Sequence, residues 1–205
     1  MRMGSTHWPP LFLASASPRR RELLDQIGVQ FECFPVDIDE SLRPGEPAAD
    51  YVVRLALTKA QRAAAELPRG AVVLGADTVV VCDGEVFGKP RDAADGYRML
   101  RALSGRTHQV MTAVAVGRTG DWRHRLVSTE VTFRTLDEAE CARYWDSGEP
   151  LDKAGGYAIQ GFGAVFVAKM SGSYSAVVGL PLMETAALLR EAGIEYWQME
   201  VSRRT

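Results

Sequence analysis

Apolar and polar positions along the chain change their spacing several times, and each change predicts a new secondary-structure element. Alternating or short continuous apolar runs predict strands, whereas apolar residues three and four positions apart predict helices. Glycine, proline and N-cap residues separate these stretches. The pattern predicts strands that end near residue 13 and cover 31–40, 71–82, 85–89, 107–116 and 122–133, with another after residue 160. It predicts helices that start at residue 18 and cover 47–67, 92–103, 135–147 and 181–192.

The second predicted helix carries a lysine within its apolar stripe. Val52, Leu55, Ala56 and Ala63 lie on one face of that helix, and Lys59 lies in the middle of the same face, since each residue turns the helix by about 100°. Two interpretations are open. The side chain either extends past a thin edge of the core to solvent, or it meets a negatively charged ligand.

A predicted hairpin brings together charged residues. The dipeptide Asp83-Gly84 lies between two apolar runs and is a strong signal for a two-residue β-turn. The resulting register pairs Thr78 with Lys89 and puts Lys89 beside Asp77. An aspartate among valines is costly to bury unless a cation or metal accompanies it. The acid and its cation are either a structural ion pair or part of a catalytic site.

The sequence LASASPRRRELL predicts a strand end, a serine-rich turn and a helix with Ser17 as its N-cap and Pro18 as its first residue. Arg19, Arg20 and Arg21 then fall in the first helical turn. A helix N-terminus already carries about half a positive charge, so three guanidinium groups there cost stability unless an anion binds. Backbone amides and arginines in this arrangement suit phosphate groups.

Composition and charge exclude several classes of protein. The 205 residues carry a net charge of −2, so the protein has no overall positive potential that would attract nucleic acid. No apolar segment reaches the roughly 18 residues of a membrane helix. The three cysteines and three histidines show no metal-binding or triad spacing, and this cysteine usage is typical of a cytoplasmic protein. The phosphate-binding motifs GxxxxGK[ST] and GxGxxG are absent.

The remaining polar residues are consistent with a phosphorylated ligand. Lys153 adds a further cation in a glycine-rich loop, and Gln160 follows between two turns where glycine allows close approach to a flat ligand. The acids Glu40 and Asp77 suit a hard divalent cation, because magnesium prefers one or two carboxylates together with phosphate oxygens and water. These residues predict a magnesium-dependent enzyme or receptor for a phosphorylated small molecule.

Seven blocks in order resemble the Maf family of nucleoside triphosphate pyrophosphatases, historically called septum formation proteins. The blocks are LASASPRRRELL, RLALTKA, GADTVV, GKP, SGRTHQVMTAVAV, EPLDKAGGYAIQG and GSYSAVVGLPL. The resemblance implies an α/β fold with a mixed twisted sheet, flanking helices and two lobes around a central cleft, similar to inosine triphosphate pyrophosphatases. It also implies a homodimer and a single domain over residues 1–205, in which we expect residues 1–10 to be a mobile extension.

The resemblance assigns roles to individual positions. Asp77 matches the family's proton acceptor and joins Lys89 in the catalytic set. Glu40 and Asp77 match acids near a divalent metal, which is Mg²⁺ or alternatively Mn²⁺ or Co²⁺. The three positions tied to substrate choice are Arg19, Thr78 and Gln160. The other substrate-binding positions contact phosphates and are Ser15, Ser17, Arg20 and Lys59, again with Lys89.

The implied reaction is hydrolysis of dTTP and UTP, and of modified pyrimidine triphosphates, to the monophosphate and pyrophosphate. The strand block and the glycine-rich block resemble the branch that acts on these substrates. One alternative is the same chemistry on 7-methyl-GTP or another purine triphosphate. Another is a nucleotide-sensing regulator of cell division, in which binding matters and turnover does not. The presence of Asp77 favours turnover, because a sensor has no need of a proton acceptor.

Overall fold

A single mixed β-sheet organises the chain in the computed structural model, which describes residues 10–198. The predicted mobile extension lies outside the described residues except for Pro10. The strands are β1 Leu11–Leu13, β2 Glu32–Cys33, β3 Val72–Cys82, β4 Glu85–Phe87, β5 Thr107–Arg118, β6 Asp121–Phe133 and β7 Val167–Ser171. The helices are α1 Pro18–Gln26, α2 Ala48–Ala64, α3 Ala93–Leu103, α4 Glu138–Asp146, α5 Tyr174–Val178 and α6 Leu182–Glu191. Short 3₁₀ turns cover Glu149–Asp152, Ala154–Gly156 and Phe162–Phe166.

Helices cover both faces of this sheet. The strand order is β2-β1-β3-β5-β6-β7, and β4 pairs with β3 outside this path. β1 is parallel to β2 and β3, and the other pairs are antiparallel. Helix α2 packs on one face, while α1 and α6, and separately α3 and α4, form apolar clusters with the other. The predicted mixed α/β class is confirmed. No helix among residues 10–198 is long and apolar enough to cross a membrane.

The central strand β3 has one continuous neighbour and one interrupted edge. On one side it pairs with β5 from Val73 to Val81. On the other side it pairs with β1 only at residues 72–74 and with β4 only at residues 80–82. Residues 75–79 of this edge therefore lie between two separate ladders. A break of this kind opens a crevice at the sheet, as ligand sites in α/β proteins often require.

A polar pair separates the two apolar clusters on the face opposite α2. Every second residue of β3 points to this face, and Thr78 falls between the apolar residues of the first cluster and those of the second. Its cross-strand partner Thr112 occupies the same place on β5. The two threonines thus mark the boundary between the two lobes that the family resemblance implies.

Small residues bring α2 unusually close to the sheet. A Cβ atom added at Gly75 of β3 would lie 2.3 Å from the carbonyl oxygen of Ala56 and 2.8 Å from the backbone nitrogen of Ala60. Gly75 therefore cannot be replaced without moving the helix away. This close approach holds Lys59, which lies between Ala56 and Ala60 in the same turn of α2, over the open edge of β3.

Several sequence-based boundaries are confirmed and others are wrong. The predicted α2, α3, β5, β6 and α6 are present, and Asp83-Gly84 forms the expected hairpin. The strand predicted over 31–40 is only the two residues of β2. The cap of α4 is Asp137, which accepts a hydrogen bond from the backbone nitrogen of Glu140 at 2.7 Å. The helix predicted from residue 135 therefore begins only at Glu138, because the carboxylate of Asp137 caps it.

His108 is a buried histidine without a charged partner among residues 10–198. It is 2% exposed, its Nε2 lies 2.8 Å from the Tyr157 hydroxyl, and its ring packs edge-on against Phe133. Its Nδ1 is buried and has no hydrogen-bond partner among the described residues. Burial lowers the pKa of His108 from 6.5 to about 4. The folded protein therefore keeps this imidazole neutral at physiological pH.

We expect the free energy of unfolding to fall as the pH is lowered from 6.5 to about 4, the range between the unfolded and folded pKa values of His108. The unfolded chain binds more protons than the folded protein in this window, so stability rises with pH there and His108 adds no further slope below it. The difference amounts to about 3 kcal/mol. Chemical denaturation at several pH values in this range measures the free energy of unfolding. This free energy should rise more steeply with pH in the wild type than in His108→Gln. Equal slopes in both proteins would contradict the assignment.

Candidate active site

A cavity of about 430 Å³ opens at the break in the sheet edge. It lies between the start of α1, helix α2, the end of β4 and the glycine-rich loop after α4. All ten residues that the sequence proposes for the site line this cavity, namely Ser15, Ser17, Arg19, Arg20, Glu40, Lys59, Asp77, Thr78, Lys89 and Gln160. The fold thus collects residues from six separate parts of the chain.

Lys59 is the cation that accompanies the buried aspartate. Its Nζ lies 2.7 Å from Oδ1 of Asp77 and 2.6 Å from Oε1 of Glu40. Lys59 is 9% exposed and Asp77 is 8% exposed, whereas the side chain of Glu40 is 47% exposed. Partial burial raises the pKa of Glu40, but the hydrogen bond and charge of Lys59 outweigh this effect, so the net pKa lies below its usual range. The alternative in which Lys59 extends to solvent is wrong.

The prediction that Lys89 is the partner of Asp77 is also wrong. The hairpin ladder ends at Phe87 and does not continue to Lys89. The carbonyl oxygen of Gly88 instead accepts a hydrogen bond from the backbone nitrogen of Gly155, at 3.0 Å, and this bond draws the segment out of the sheet toward the glycine-rich loop. Lys89 is exposed and lines the cavity from that side.

The N-terminus of α1 lacks a side-chain cap. Ser17 occupies the N-cap position with an extended backbone, but its hydroxyl makes no capping hydrogen bond, and no acid lies in the first turn. Its own backbone nitrogen donates to the Ser15 hydroxyl at 3.2 Å. The first N–H groups of a helix have no partner within the helix. This end of α1 therefore presents amide donors and a positive dipole at the cavity wall.

Arg20 is held in place by three hydrogen bonds. Its Nε donates to the carbonyl oxygen of Gly179 at 2.9 Å, and its Nη atoms donate to the Ser15 hydroxyl at 3.1 Å and the Thr78 hydroxyl at 3.4 Å. Burial lowers the pKa of Arg20, and the negative charge of Asp77 opposes this shift. The interpretation of this arginine as a group that only waits for a ligand is therefore incomplete, because it also fastens α1 to the residue after α5 and to β3.

Arg19 has a replaceable partner. Its Nη1 lies 3.1 Å from Oδ2 of Asp152, whose other oxygen pairs with the ammonium group of Lys153. The Asp152 side chain is exposed, and exposed ion pairs contribute little to stability. An anionic ligand with several oxygens can therefore take the place of Asp152 beside both cations at low cost.

The Thr78 hydroxyl has a defined direction. Thr112 donates its hydroxyl proton to the carbonyl oxygen of Ala176 at 2.7 Å, and the two threonine oxygens lie 3.0 Å apart. Thr78 must therefore donate to Thr112, and it accepts from Arg20. Since a hydroxyl has one proton and two lone pairs, Thr78 offers only an acceptor to a ligand.

Two of these carboxylates fit a divalent cation that is shared with a ligand. The oxygens of Asp77 and Glu40 converge on one point, which is occupied by the Lys59 ammonium group. The described residues contain no group of three or more acids, histidines or cysteines that could hold a metal alone. This donor set suits Mg²⁺, which usually takes one or two carboxylates and completes its shell with phosphate oxygens and water.

Sequence reasoning missed several contributors to the site. The Tyr51 hydroxyl donates to the carbonyl oxygen of Glu40 at 2.7 Å and so holds the loop that carries this acid. Thr112 orients Thr78, and the carbonyl of Gly179 orients Arg20. Thr112 had a signal in the sequence, since it is the one hydroxyl residue within the apolar stretch 110–116 of its strand. The bond from Arg20 to Gly179 spans 159 residues, and the bond from Tyr51 to Glu40 reaches into an irregular loop, so neither leaves a local pattern.

The family comparison and the similar sequences agree with each other. The model of the Maf-like protein family matches residues 10–192. The chain is 56% identical over 191 residues to a dTTP/UTP pyrophosphatase of Saccharophagus degradans, covering 92% of this chain and 91% of that protein. It is 59% identical over 179 residues to a dTTP/UTP pyrophosphatase of Salmonella typhimurium, covering 87% and 91%. Among solved structures, a nucleoside-triphosphatase/dITP/XTP pyrophosphatase of Mycobacterium abscessus is 15% identical, with a TM-score of 0.41 and 60% and 74% coverage.

The hydrogen bonds of Arg20 make a prediction about the ligand-free protein. We expect Arg20→Ala to lower the free energy of unfolding by about 1–3 kcal/mol, because the buried carbonyl of Gly179 loses its donor. Arg21→Ala is the matched control, since Arg21 is exposed in the same helical turn and should leave stability unchanged. Denaturant titration of both variants without ligand measures the difference. Equal stability of the two variants would show that the bond from Arg20 to Gly179 does not stabilise the ligand-free protein.

Proposed function

The chain belongs to the Maf family, and from this premise we propose that it hydrolyses dTTP and UTP to the nucleoside monophosphate and pyrophosphate. One observation carries the proposal. A single cavity holds the uncapped start of α1 with Arg19 and Arg20, and beside it the cluster in which Lys59 bridges Asp77 and Glu40. The names of the relatives at 56% and 59% identity support the same reaction.

The cations in the cavity suit a departing pyrophosphate. Amide groups at the start of α1, two arginines, Lys89 and Lys153 all line it, which is more positive charge than a single phosphate requires. We assign the β- and γ-phosphates to this region. Negative charge accumulates on the leaving pyrophosphate as the bond breaks, so fixed cations stabilise the transition state more than the ground state.

Asp77 is the group that accepts the proton of the attacking water. In the proposed reaction the water oxygen forms a bond to the α-phosphorus, the bond from that phosphorus to the α–β bridging oxygen breaks, and pyrophosphate leaves. A carboxylate positioned next to the water takes its proton. Lys59 compensates the buried negative charge of Asp77 and holds its carboxylate at the cavity wall.

Asp77 and Glu40 would also hold the divalent cation, which we take to be Mg²⁺, with Mn²⁺ or Co²⁺ as replacements. When bound, such a cation neutralises phosphate charge and polarises a phosphoryl oxygen. The half-exposed carboxylate of Glu40 can turn toward a cation that arrives with the nucleotide. The Lys59 ammonium group keeps the two carboxylates from repelling each other before that cation arrives.

Substrate choice is assigned to Arg19, Thr78 and Gln160. Thr78 offers an acceptor only, so it suits a hydroxyl or N–H of the nucleotide. Gln160 is exposed at the far wall of the cavity, and its carboxamide offers both donors and an acceptor. These groups match the edge of uracil or thymine, which presents an N–H between two carbonyl oxygens. The substrate range of the proposal includes modified pyrimidine triphosphates.

The proposal extends to a cytoplasmic homodimer that removes unwanted nucleotides from the pool. Two alternative functions differ from this proposal in the base that is bound or in whether the nucleotide is hydrolysed. Hydrolysis of 7-methyl-GTP or another purine triphosphate would use the same phosphate chemistry with a different base pocket. A regulator of septum formation would bind nucleotide without turnover, and the buried acid at the centre of the cavity argues against that function.

Asp77→Asn tests the proton acceptor. The amide keeps the size of the side chain but cannot take a proton from water, so kcat should fall by about 10²- to 10⁴-fold. Asp25→Asn, on the exposed side of α1, is the matched control and should keep wild-type turnover. Release of pyrophosphate from dTTP with Mg²⁺ measures both variants, and circular dichroism checks that each is folded. Near-wild-type turnover in Asp77→Asn would rule out the assigned role.

The identity of the broken bond tests the reaction itself. Hydrolysis of UTP in ¹⁸O-labelled water should put the label in UMP and leave the pyrophosphate unlabelled, because water attacks the α-phosphorus. Parallel reactions with GTP and 7-methyl-GTP test the purine alternative, and nucleotide binding without any product would favour the regulator. UDP and orthophosphate as first products, or label in the pyrophosphate, would overturn the proposed reaction.

A further inference from the structure

The turn that carries Gln160 is fastened by two side chains that do not line the cavity. Gln160 itself is exposed, and its side chain makes no hydrogen bond to another described residue. A glutamine can select a base only if its backbone has a fixed position, because an unsupported turn would let the carboxamide follow any ligand. The support therefore has to come from the residues around the turn.

Glu149 binds the turn on its C-terminal side. Its Oε2 accepts from the backbone nitrogen of Phe162 at 2.9 Å, and its Oε1 accepts from the backbone nitrogen of Gly163 at 3.0 Å. Partial burial raises the pKa of Glu149, but the hydrogen bonds from Gly163 and its neighbours outweigh this effect, so the net pKa is lowered. The carboxylate thus stays charged and keeps all of its acceptor sites.

Tyr144 binds the N-terminal side of the same turn. Its hydroxyl accepts from the backbone nitrogen of Ala158 at 3.1 Å and donates to Oε1 of Glu149 at 2.7 Å. The ring packs edge-on against Phe166, at 4.8 Å between ring centroids, within the apolar cluster of α3 and α4. The two side chains therefore connect backbone positions on both sides of Gln160 to the core of one lobe.

The turn is shaped to enclose this carboxylate. A Cβ atom added at Gly161 would lie 2.0 Å from Oε2 of Glu149, and one added at Gly163 would lie 2.8 Å from the Tyr144 hydroxyl. Both glycines are thus required by the close approach of the two side chains. The residue next to Gln160 has no side chain because the carboxylate occupies that space.

From these contacts we infer that Glu149 and Tyr144 are positioning residues for substrate selection, acting through Gln160. This inference rests on the proposed function, since it assigns to these residues the selection of a pyrimidine base by the same cavity. Neither residue touches the substrate. Their loss should therefore weaken the distinction between bases and leave the phosphate-binding region unaffected.

The test compares Glu149→Gln, Tyr144→Phe and Gln160→Ala with the wild type. Glu149→Gln replaces one acceptor oxygen with an amide NH₂ group, which would face a backbone donor. Tyr144→Phe removes the hydroxyl and keeps the ring. Each should lower the ratio of kcat/KM for UTP to that for CTP by at least tenfold, mainly through KM for UTP. Inhibition by inorganic pyrophosphate, which has no base, should stay at the wild-type level.

A double variant separates positioning from a general structural effect. Glu149→Gln should have no additional effect on the UTP to CTP ratio when Gln160→Ala is already present, because the selecting side chain is gone. Glu140→Gln is the matched control. It removes a carboxylate that pairs with Arg134 on the same lobe and should not change the ratio.

The possible failures are distinguishable. A wild-type protein that hydrolyses neither UTP nor dTTP would overturn the proposed function and this inference together. Wild-type turnover with an unchanged ratio in Glu149→Gln and Tyr144→Phe would overturn the inference alone. It would also be overturned if the ratio changed further in the double variant, or if pyrophosphate inhibition weakened as much as UTP turnover.

Discussion

The ammonium group of Lys59, held between the carboxylates of Asp77 and Glu40, is the interaction on which the candidate site depends. A charged pair this deeply buried is expensive to desolvate, and removing one partner typically costs about 3–5 kcal/mol. Apolar residues of similar size would usually serve stability equally well or better. The cluster is therefore best understood through chemistry. It brings two carboxylates to one point beside an array of cations, where a metal and a triphosphate can meet them.

The backbone explains how this cluster reaches the cavity. Gly75 and the alanines of α2 allow the helix to lie directly on β3. This places Lys59 over residues 75–79 of β3, whose edge is unpaired because it lies between the β1 and β4 ladders. Asp77 and Thr78 are consecutive residues on that stretch, so their side chains point to opposite faces of the sheet. One meets Lys59 of α2, and the other meets Arg20 and the boundary between the two lobes. A single gap in the sheet thus serves both the acid cluster and the phosphate-binding region.

The elements with strong local signals were predictable from sequence, and the contacts between them were not. The apolar stripe of α2 placed Lys59 on a buried face, and Asp83-Gly84 specified the hairpin. Local register could not show where that hairpin leaves the sheet, because a hydrogen bond between Gly88 and Gly155, far apart in sequence, decides it.

Side chains that act through tertiary contacts were similarly hidden. Nothing near Glu149 in the sequence indicates that its carboxylate would collect three donors, two of them from a turn thirteen and fourteen residues later. The bond from Arg20 to Gly179 likewise spans 159 residues. The ten residues proposed from the family resemblance do line the cavity. The resemblance depends on short blocks in a fixed order, so it needs no knowledge of how those blocks pack.

The assigned positions of the phosphates are tested most directly by a crystal structure of the protein with Mg²⁺ and a UTP analogue whose α–β bridging oxygen is replaced by a methylene group. We predict that the α-phosphorus lies next to the carboxylate of Asp77, that the cation contacts Asp77 and Glu40, and that the β- and γ-phosphates lie at the start of α1 beside Arg19 and Arg20. A γ-phosphorus next to Asp77, with the α-phosphate at the start of α1, would contradict it.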